Sequence, residues 1–176
     1  VLVRATDEAE LLRAICRLVV EVGGYRLAWV GFAQQDEAKS VRPVAQAGFE
    51  EGFLEIANIT WADTERGGGP VGRAIRTEET VVARNILTDS ALAPWREGGI
   101  QRGYAAQAAF PLKRDQRVFG ALTVYTSEPD PFDSAEVGLL TQLADDLAYG
   151  ITALRTRLDQ KRIEDELHLL SARLLQ

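Results

Sequence analysis

From Asp133 to Gln176 the chain has no proline and only two glycines, Gly138 and Gly150, while leucines recur at helical spacing. Leu140, Leu143, Leu147, Ile151, Leu154 and Leu158 step by three, four, four, three and four, the stripe of a helix that pairs with another helix. Few folds accommodate such a segment: it must leave a compact body as one long helix, and its natural role is to connect that body to something else. After Leu158 the stripe is interrupted by Asp159, Gln160, Lys161 and Arg162, then resumes at Ile163, Leu167, Leu170 and Leu174. The step of five from Leu158 to Ile163 is out of phase, and such a break changes the local winding of a coiled coil where rotation or splaying can be absorbed. Fraying of a helix end is the plainer alternative. The pattern runs to Gln176 with no cap or polar tail, so the expectation is a coiled-coil connector.

The remainder reads as alternating short elements. Asp7 with Glu10 forms a capping arrangement ahead of Leu11, Leu12, Ile15, Leu18, Val19 and Val22, an amphipathic helix that should end at Gly23-Gly24. Tyr25 to Phe32 is apolar throughout and should be a central strand, whereas Pro43 within Val41 to Ala47 predicts an edge or an irregularity. Gly48 to Thr64 mixes aromatics with acids and has no periodicity. Gly67-Gly68-Gly69 is a breaker, Pro70 can begin a helix over Val71 to Thr77, Thr80 to Ala83 is a short strand, and a helix is expected near Ser90 to Glu97. Ala105 to Leu112 and Val118 to Thr126 read as a hairpin around Lys113 to Arg117, and Asp133 or Ser134 caps the last helix. Hairpin connections dominate, so the fold class is α+β with a mostly antiparallel sheet.

Composition excludes several functions. A net charge of -6 opposes nonspecific binding to nucleic acid, which demands clustered Lys and Arg. The longest apolar runs, such as Leu27 to Ala33, are too short to cross a bilayer. The lone cysteine, Cys16, sits on the apolar face of the first helix and rules out a disulfide within the chain, so a cytoplasmic location fits. One Cys and one His support neither a structural zinc site nor a Cys-His nucleophile pair. His168 lies on the connector, where a solvated role is the simplest. Asp145 and Asp146 diverge by about 100° on a helix and do not converge on one substrate. The glycines before Pro70 invite an anion at a helix N-terminus, but Pro70 removes a donor and no Gly-Lys-Ser/Thr follows, so a plain turn is expected. The chain begins at Val1 and contains no methionine, the signature of an excised fragment.

Five segments together carry a resemblance: Gly23 to Phe32 (GGYRLAWVGF), Ile59 to Asp63, Gly69 to Thr77, Ala93 to Arg96, and Phe119 to Tyr125 (FGALTVY). Over residues 5–155 they resemble GAF domains of bacterial sensory proteins, and Leu139 to Arg155 resembles that family's final helix. The resemblance implies a GAF/PAS-like antiparallel sheet of about six strands, with the first and last helices on one face and a small-molecule pocket on the other. It implies a sensory domain over residues 1–155 and a helical signalling linker over 156–176. Arg162 to Gln176 resembles the run-in to a histidine kinase dimerisation helix, a run-in also found before cyclase output domains and PAS repeats. No phosphoacceptor histidine or ATP-binding segment is present, so the chain itself is expected to be non-catalytic and to need no cofactor or metal. Relatives that attach bilins or reduce methionine sulfoxide use pocket cysteines, which Cys16 does not match; the Asn-Lys-Phe-Asp-Glu run of cyclic-nucleotide binders is also missing.

The resemblance also places Trp61 and Trp95 around the pocket, with Tyr104 nearby and Arg73, Arg84 or Arg96 as partners for an aromatic or anionic ligand. Core filling is the simpler role for the tryptophans. Arg84-Asn85 stands where the family pattern leads one to expect Arg-Asp. Two readings follow. In one, a ligand-sensing homodimer pairs through its first and last helices along Leu143, Leu147, Ile151, Leu154 and Leu158. In the other, a relay module has a pocket closed by bulky side chains.

Overall fold

A computed structural model describes residues 7–129 and 131–176. The first six residues of the expected domain lie outside the described residues. Helix α1 (Glu8–Gly23) starts as its capping pattern predicts, with the Asp7 carboxylate accepting from the Glu10 amide at 2.7 Å. It ends at Gly24, whose φ of 77° lets its N–H reach the Val20 carbonyl. Leu11, Leu12, Ile15, Cys16 and Val19 are buried, whereas Leu18 and Val22 of the predicted stripe face outward.

Strands β1 (Leu27–Ala33), β2 (Val41–Gly48), β3 (Val81–Ala83), β4 (Ala106–Arg114) and β5 (Arg117–Thr126) form one antiparallel sheet in the order β2-β1-β5-β4-β3. The apolar β1 is interior, and β2 is the edge, its register slipping between Val30 and Gly31 where Pro43 falls. Asp115 and Gln116, with φ of 49° and 64°, make the tight turn of the β4–β5 hairpin, shorter than the expected Lys113 to Arg117.

The sheet has five strands rather than about six. The segment after Asn58 comes alongside β2 but makes only one bridge, Ser40 with Thr60. Asn58 enters it in the left-handed region at φ 46°, and the Thr60 hydroxyl donates to the Ala38 and Lys39 carbonyls, so pairing stops after one residue. The unassigned stretch around it holds α2 (Phe53–Ala57). A 3-10 turn at Arg66–Gly68 leads into α3 (Pro70–Thr77), and a 3-10 segment at Ser90–Trp95 runs into α4 (Arg96–Gln101).

Helix α5 (Ser134–Leu174) runs for 41 residues, capped by the Asp133 carboxylate on the Glu136 amide at 2.8 Å. Leu140, Ala144, Leu147, Ala148 and Ile151 are buried. Gly150 lets α1 approach, since a Cβ there would lie 2.9 Å from Leu11 Cδ2. Where α5 leaves the body, Arg155 holds Glu8 at 2.6 and 3.2 Å and lies 5.2 Å from the centre of the Phe32 ring. From residue 156 onward every residue is exposed.

The sheet therefore separates two cores. α1 and α5 cover one face with Leu, Ile and Val packed on Phe110, Leu122 and Val124. The short helices cover the other, where Trp29, Phe53, Trp95, Tyr104 and Tyr125 gather with Val71, Ala74 and Ile75 of α3.

Candidate functional site

The second core holds the candidate site. Strand alternation decides which side chains face it: Gln107 of β4 pairs with Ala83 and Tyr125, and all three point away from α1 and α5. Two small cavities of about 10 Å³ each, room for about one water, share Phe53, Trp95, Gln107 and Tyr125. One extends to Arg66 and the start of α3; the other extends to Leu92 and Tyr104.

The aromatic walls are fixed by hydrogen bonds. Trp95 Nε1 donates to the Ala57 carbonyl at 2.7 Å, and Trp29 Nε1 donates to the Tyr125 hydroxyl at 3.2 Å. The Tyr104 hydroxyl donates to the Phe49 carbonyl, and its ring lies 4.8 Å from that of Tyr125 and 5.2 Å from that of Phe53. Burial pushes Tyr104 up to about 12 and Tyr125 higher still, so both are neutral donors at ordinary pH.

Polar atoms in this core are incompletely matched. Gln107 is only 6% exposed and lines both cavities, and its carboxamide has no hydrogen-bond partner among the described residues. The Thr123 hydroxyl, on the same sheet face, is fully buried and also unpartnered. Gly69 caps α3 without a side chain, and a Cβ there would lie 2.5 Å from the Trp95 ring. Pro70 occupies the first helical position, leaving the Val71 and Gly72 amides as the first orphan donors.

The sequence-predicted residues separate. Trp95 and Tyr104 line the cavities. Trp61 packs at the margin, its Nε1 on the Gln34 carbonyl at 2.8 Å and Lys39 Nζ 4.7 Å from its ring centre. None of the three arginines lines either cavity. Arg73 is exposed on α3, Arg84 donates to the Phe132 carbonyl at 3.0 Å beside the start of α5, and Arg96 ties the Ile86 and Asp89 carbonyls at 2.8 and 2.9 Å. The cavity's cation is instead Arg66, which donates to the Ala57 carbonyl at 2.7 Å and lies 5.6 Å from the Trp95 ring centre.

Sequence reasoning missed Arg66, Gln107, Tyr125 and Phe53 as cavity residues. Gln107 had a usable signal, since it interrupts the otherwise apolar run Ala105 to Leu112. The expected pairing stripe also divides: Leu147 and Ile151 are fully buried in the chain's own core, Leu143 and Leu154 are half-buried, and Leu158 is exposed. Cys16 lies in the opposite core, where burial pushes its thiol up to about 12. His168 is exposed on α5, and no group of three or more His, Cys, Asp or Glu residues able to hold a metal occurs among the described residues.

Comparison with known proteins agrees with this architecture. The GAF domain model matches residues 5–152. A domain described as part of a two-component sensor histidine kinase from Sinorhizobium meliloti 1021 is 21% identical, with a TM-score of 0.68 over 89% of this chain and 99% of its own. The second GAF domain of DevS from Mycobacterium smegmatis is 20% identical, with a TM-score of 0.63 over 89% of this chain and 99% of its own. Free methionine-R-sulfoxide reductase from Neisseria meningitidis is 16% identical, with a TM-score of 0.69 over 89% of this chain and 84% of its own. No curated protein matches the chain.

Proposed function

This chain belongs to the GAF domain family, and from that premise we propose that it is a non-catalytic sensory module. In this reading a small molecule on the cavity face biases a packing equilibrium, and α5 carries the bias, paired with a second copy, to an output domain such as a histidine kinase. The continuity of α5 is the observation that carries the proposal. One helix is buried against the sheet at Leu140, Leu147 and Ile151, then extends through Leu158, Ile163, Leu167, Leu170 and Leu174, all exposed. An isolated exposed leucine ridge is stabilised when two helices pair. On the body, the outward Leu18 and Val22 of α1 and Leu139 and Tyr149 of α5 offer a continuation of that surface.

A ligand moves such an equilibrium only by its differential affinity, and tenfold preference corresponds to about 1.4 kcal/mol. The non-catalytic reading is supported by the position of Cys16, in the core opposite the cavities. The fold alone does not decide this point, because structures with it include sulfoxide reductases. No helix among the described residues is long and apolar enough to cross a membrane, and the proposed setting is the cytoplasm, where a lone reduced thiol persists. A second reading, a relay without a ligand, is favoured by the tight aromatic packing that leaves only about 10 Å³ in each cavity.

Cysteine cross-linking tests the pairing. In a Cys16→Ala background, the Leu167→Cys variant should cross-link between copies under mild oxidation, while Asp165→Cys, on the outer side of a parallel pair, should cross-link far less. A Leu167→Cys variant that stays monomeric in oxidising buffer would remove the paired-helix mechanism.

A further inference from the structure

The lining of the cavity beside α3 has an uneven hydrogen-bonding inventory. Groups that can donate line it: the Gln107 carboxamide, the Tyr125 hydroxyl, Arg66, and the start of α3, where the Val71 and Gly72 amides have no intrahelical partner. Arg66 already uses Nη2 and Nε on the Ala57 and Asn58 carbonyls, and Tyr125 uses its oxygen to accept from Trp29. No Asp or Glu lines the cavity.

A helix start alone would not argue for a ligand, since orphan amides are commonly satisfied by water. The carboxamide of Gln107 is the independent observation. It is 6% exposed among aromatics, lines the same cavity and has no protein partner among the described residues, so its hydrogen bonds are left to whatever occupies the cavity. Gln107 can donate through Nε2 and accept through Oε1, and the single lining cation, the helix N-terminus and the lack of a lining carboxylate favour a negatively charged partner for its Nε2.

We propose that this cavity binds the carboxylate head of a small aromatic acid, held by Gln107, Tyr125, Arg66 and the α3 N-terminus, with the ring of the acid lodged against Phe53 and Trp95. The inference rests on the sensing reading above and gives it a ligand class. A carboxylate fits the chemistry better than a phosphate ester: the cavity holds one cation rather than a cluster, and Pro70 takes one amide out of the helix start. The ring enters by displacing α2, a helix of only five residues between left-handed Gly52 and Asn58, which means giving up the Glu50 carboxylate on the Leu54 amide at 3.3 Å and Arg102 on the Glu51 carbonyl at 3.1 and 2.9 Å. That element carries Phe53 and the carbonyl that holds both Trp95 and Arg66, so ligand entry acts on all three together.

Titration calorimetry of the purified chain with sodium benzoate and with its neutral analogue benzamide tests the proposal. Benzoate should bind saturably, with Kd at or below about 1 mM, and benzamide at least about tenfold more weakly. Gln107→Leu should weaken benzoate by about tenfold or more, and Tyr125→Phe, the milder change, by about threefold to tenfold. Arg73→Gln, on the outer side of α3, should leave binding unchanged. Equal binding of the two probes would overturn the anion assignment while leaving sensing intact. Undiminished benzoate binding by a folded Tyr125→Phe together with a folded Gln107→Leu would move the site elsewhere. Binding of neither probe by a chain that still cross-links at position 167 would overturn the carboxylate site and leave the ligand-free relay.

Discussion

The two faces of one sheet are built to different standards. The α1/α5 side is mainly aliphatic, with Phe110 and Phe132 among its leucines, isoleucines and valines, its long helices hydrogen-bond their own backbones, and its polar ties lie at its margins, where Tyr25 meets Glu136 and Arg155 meets Glu8. The opposite side is rich in aromatics, is roofed by helices of five to eight residues, holds the buried, unpartnered Thr123 hydroxyl and turns the Gln107 carboxamide to the cavities. Dense, saturated packing transmits displacement as a rigid body, whereas short elements over unmatched polar groups are where local opening needs least free energy. The same strands supply both faces, so the two cores share one backbone. β5 places Leu122 and Val124 in the core that α1 and α5 cover, and Thr123 and Tyr125 on the cavity face.

The sharpest way to break the contrast is to delete packing on the helix side. Leu147→Ala, at a fully buried position, should lower stability by about 3 kcal/mol and the melting temperature by about 6–12 °C. A loss below about 1 kcal/mol would mean that this face is no better packed than the other.

Alkaline pH probes both faces. The Cys16 thiol ionises near 9.0 when unfolded and only at about 12 when folded. Its contribution is therefore whole below pH 9, and it should decline by about 1.4 kcal/mol per pH unit from there toward 12. Tyr25, Tyr104 and Tyr125, also raised above 10.0, act in the same direction at higher pH. Urea midpoints at pH 8 and pH 10 should fall more for the native chain than for Cys16→Ala, and parallel declines would contradict the burial of the thiol.

On the cavity side the sign should reverse. Thr123→Val keeps the shape and removes the unpartnered hydroxyl, so stability should rise by about 1 kcal/mol. A loss of that size in a denaturant melt would show that the hydroxyl has a partner. The smallest effect belongs to the tie at the exit of α5. Glu8→Gln should change stability by only about 0.5 kcal/mol, because the pair is partly exposed, and the difference should shrink in high salt.

What was legible in the residues was local. The Asp7 and Asp133 caps, the Pro43 edge strand and the β4–β5 hairpin each follow from a few neighbouring side chains. The cover of the cavity was not, because besides Gly52 it depends on left-handed turns at Glu51 and Asn58, residue types that do not announce them. Periodicity found the apolar stripe of α5 but could not say what covers it, and Leu147 and Ile151 proved to meet the protomer's own sheet and α1. The cavity arginine was missed for a related reason: where a long flexible side chain ends is set by tertiary acceptors, here the Ala57 and Asn58 carbonyls for Arg66. Gln107 stood out as the polar residue in an apolar strand, and its neighbours across the sheet give that polarity its place.

If the exposed leucines of α5 meet those of a second copy, a native mass spectrum shows the pair. The 19.3 kDa chain should appear at twice its mass, and Leu167→Glu with Leu170→Glu should return it to the single-chain mass without loss of melting temperature. A native chain that flies as a monomer at micromolar concentration, or a double variant that remains a dimer, would contradict the account.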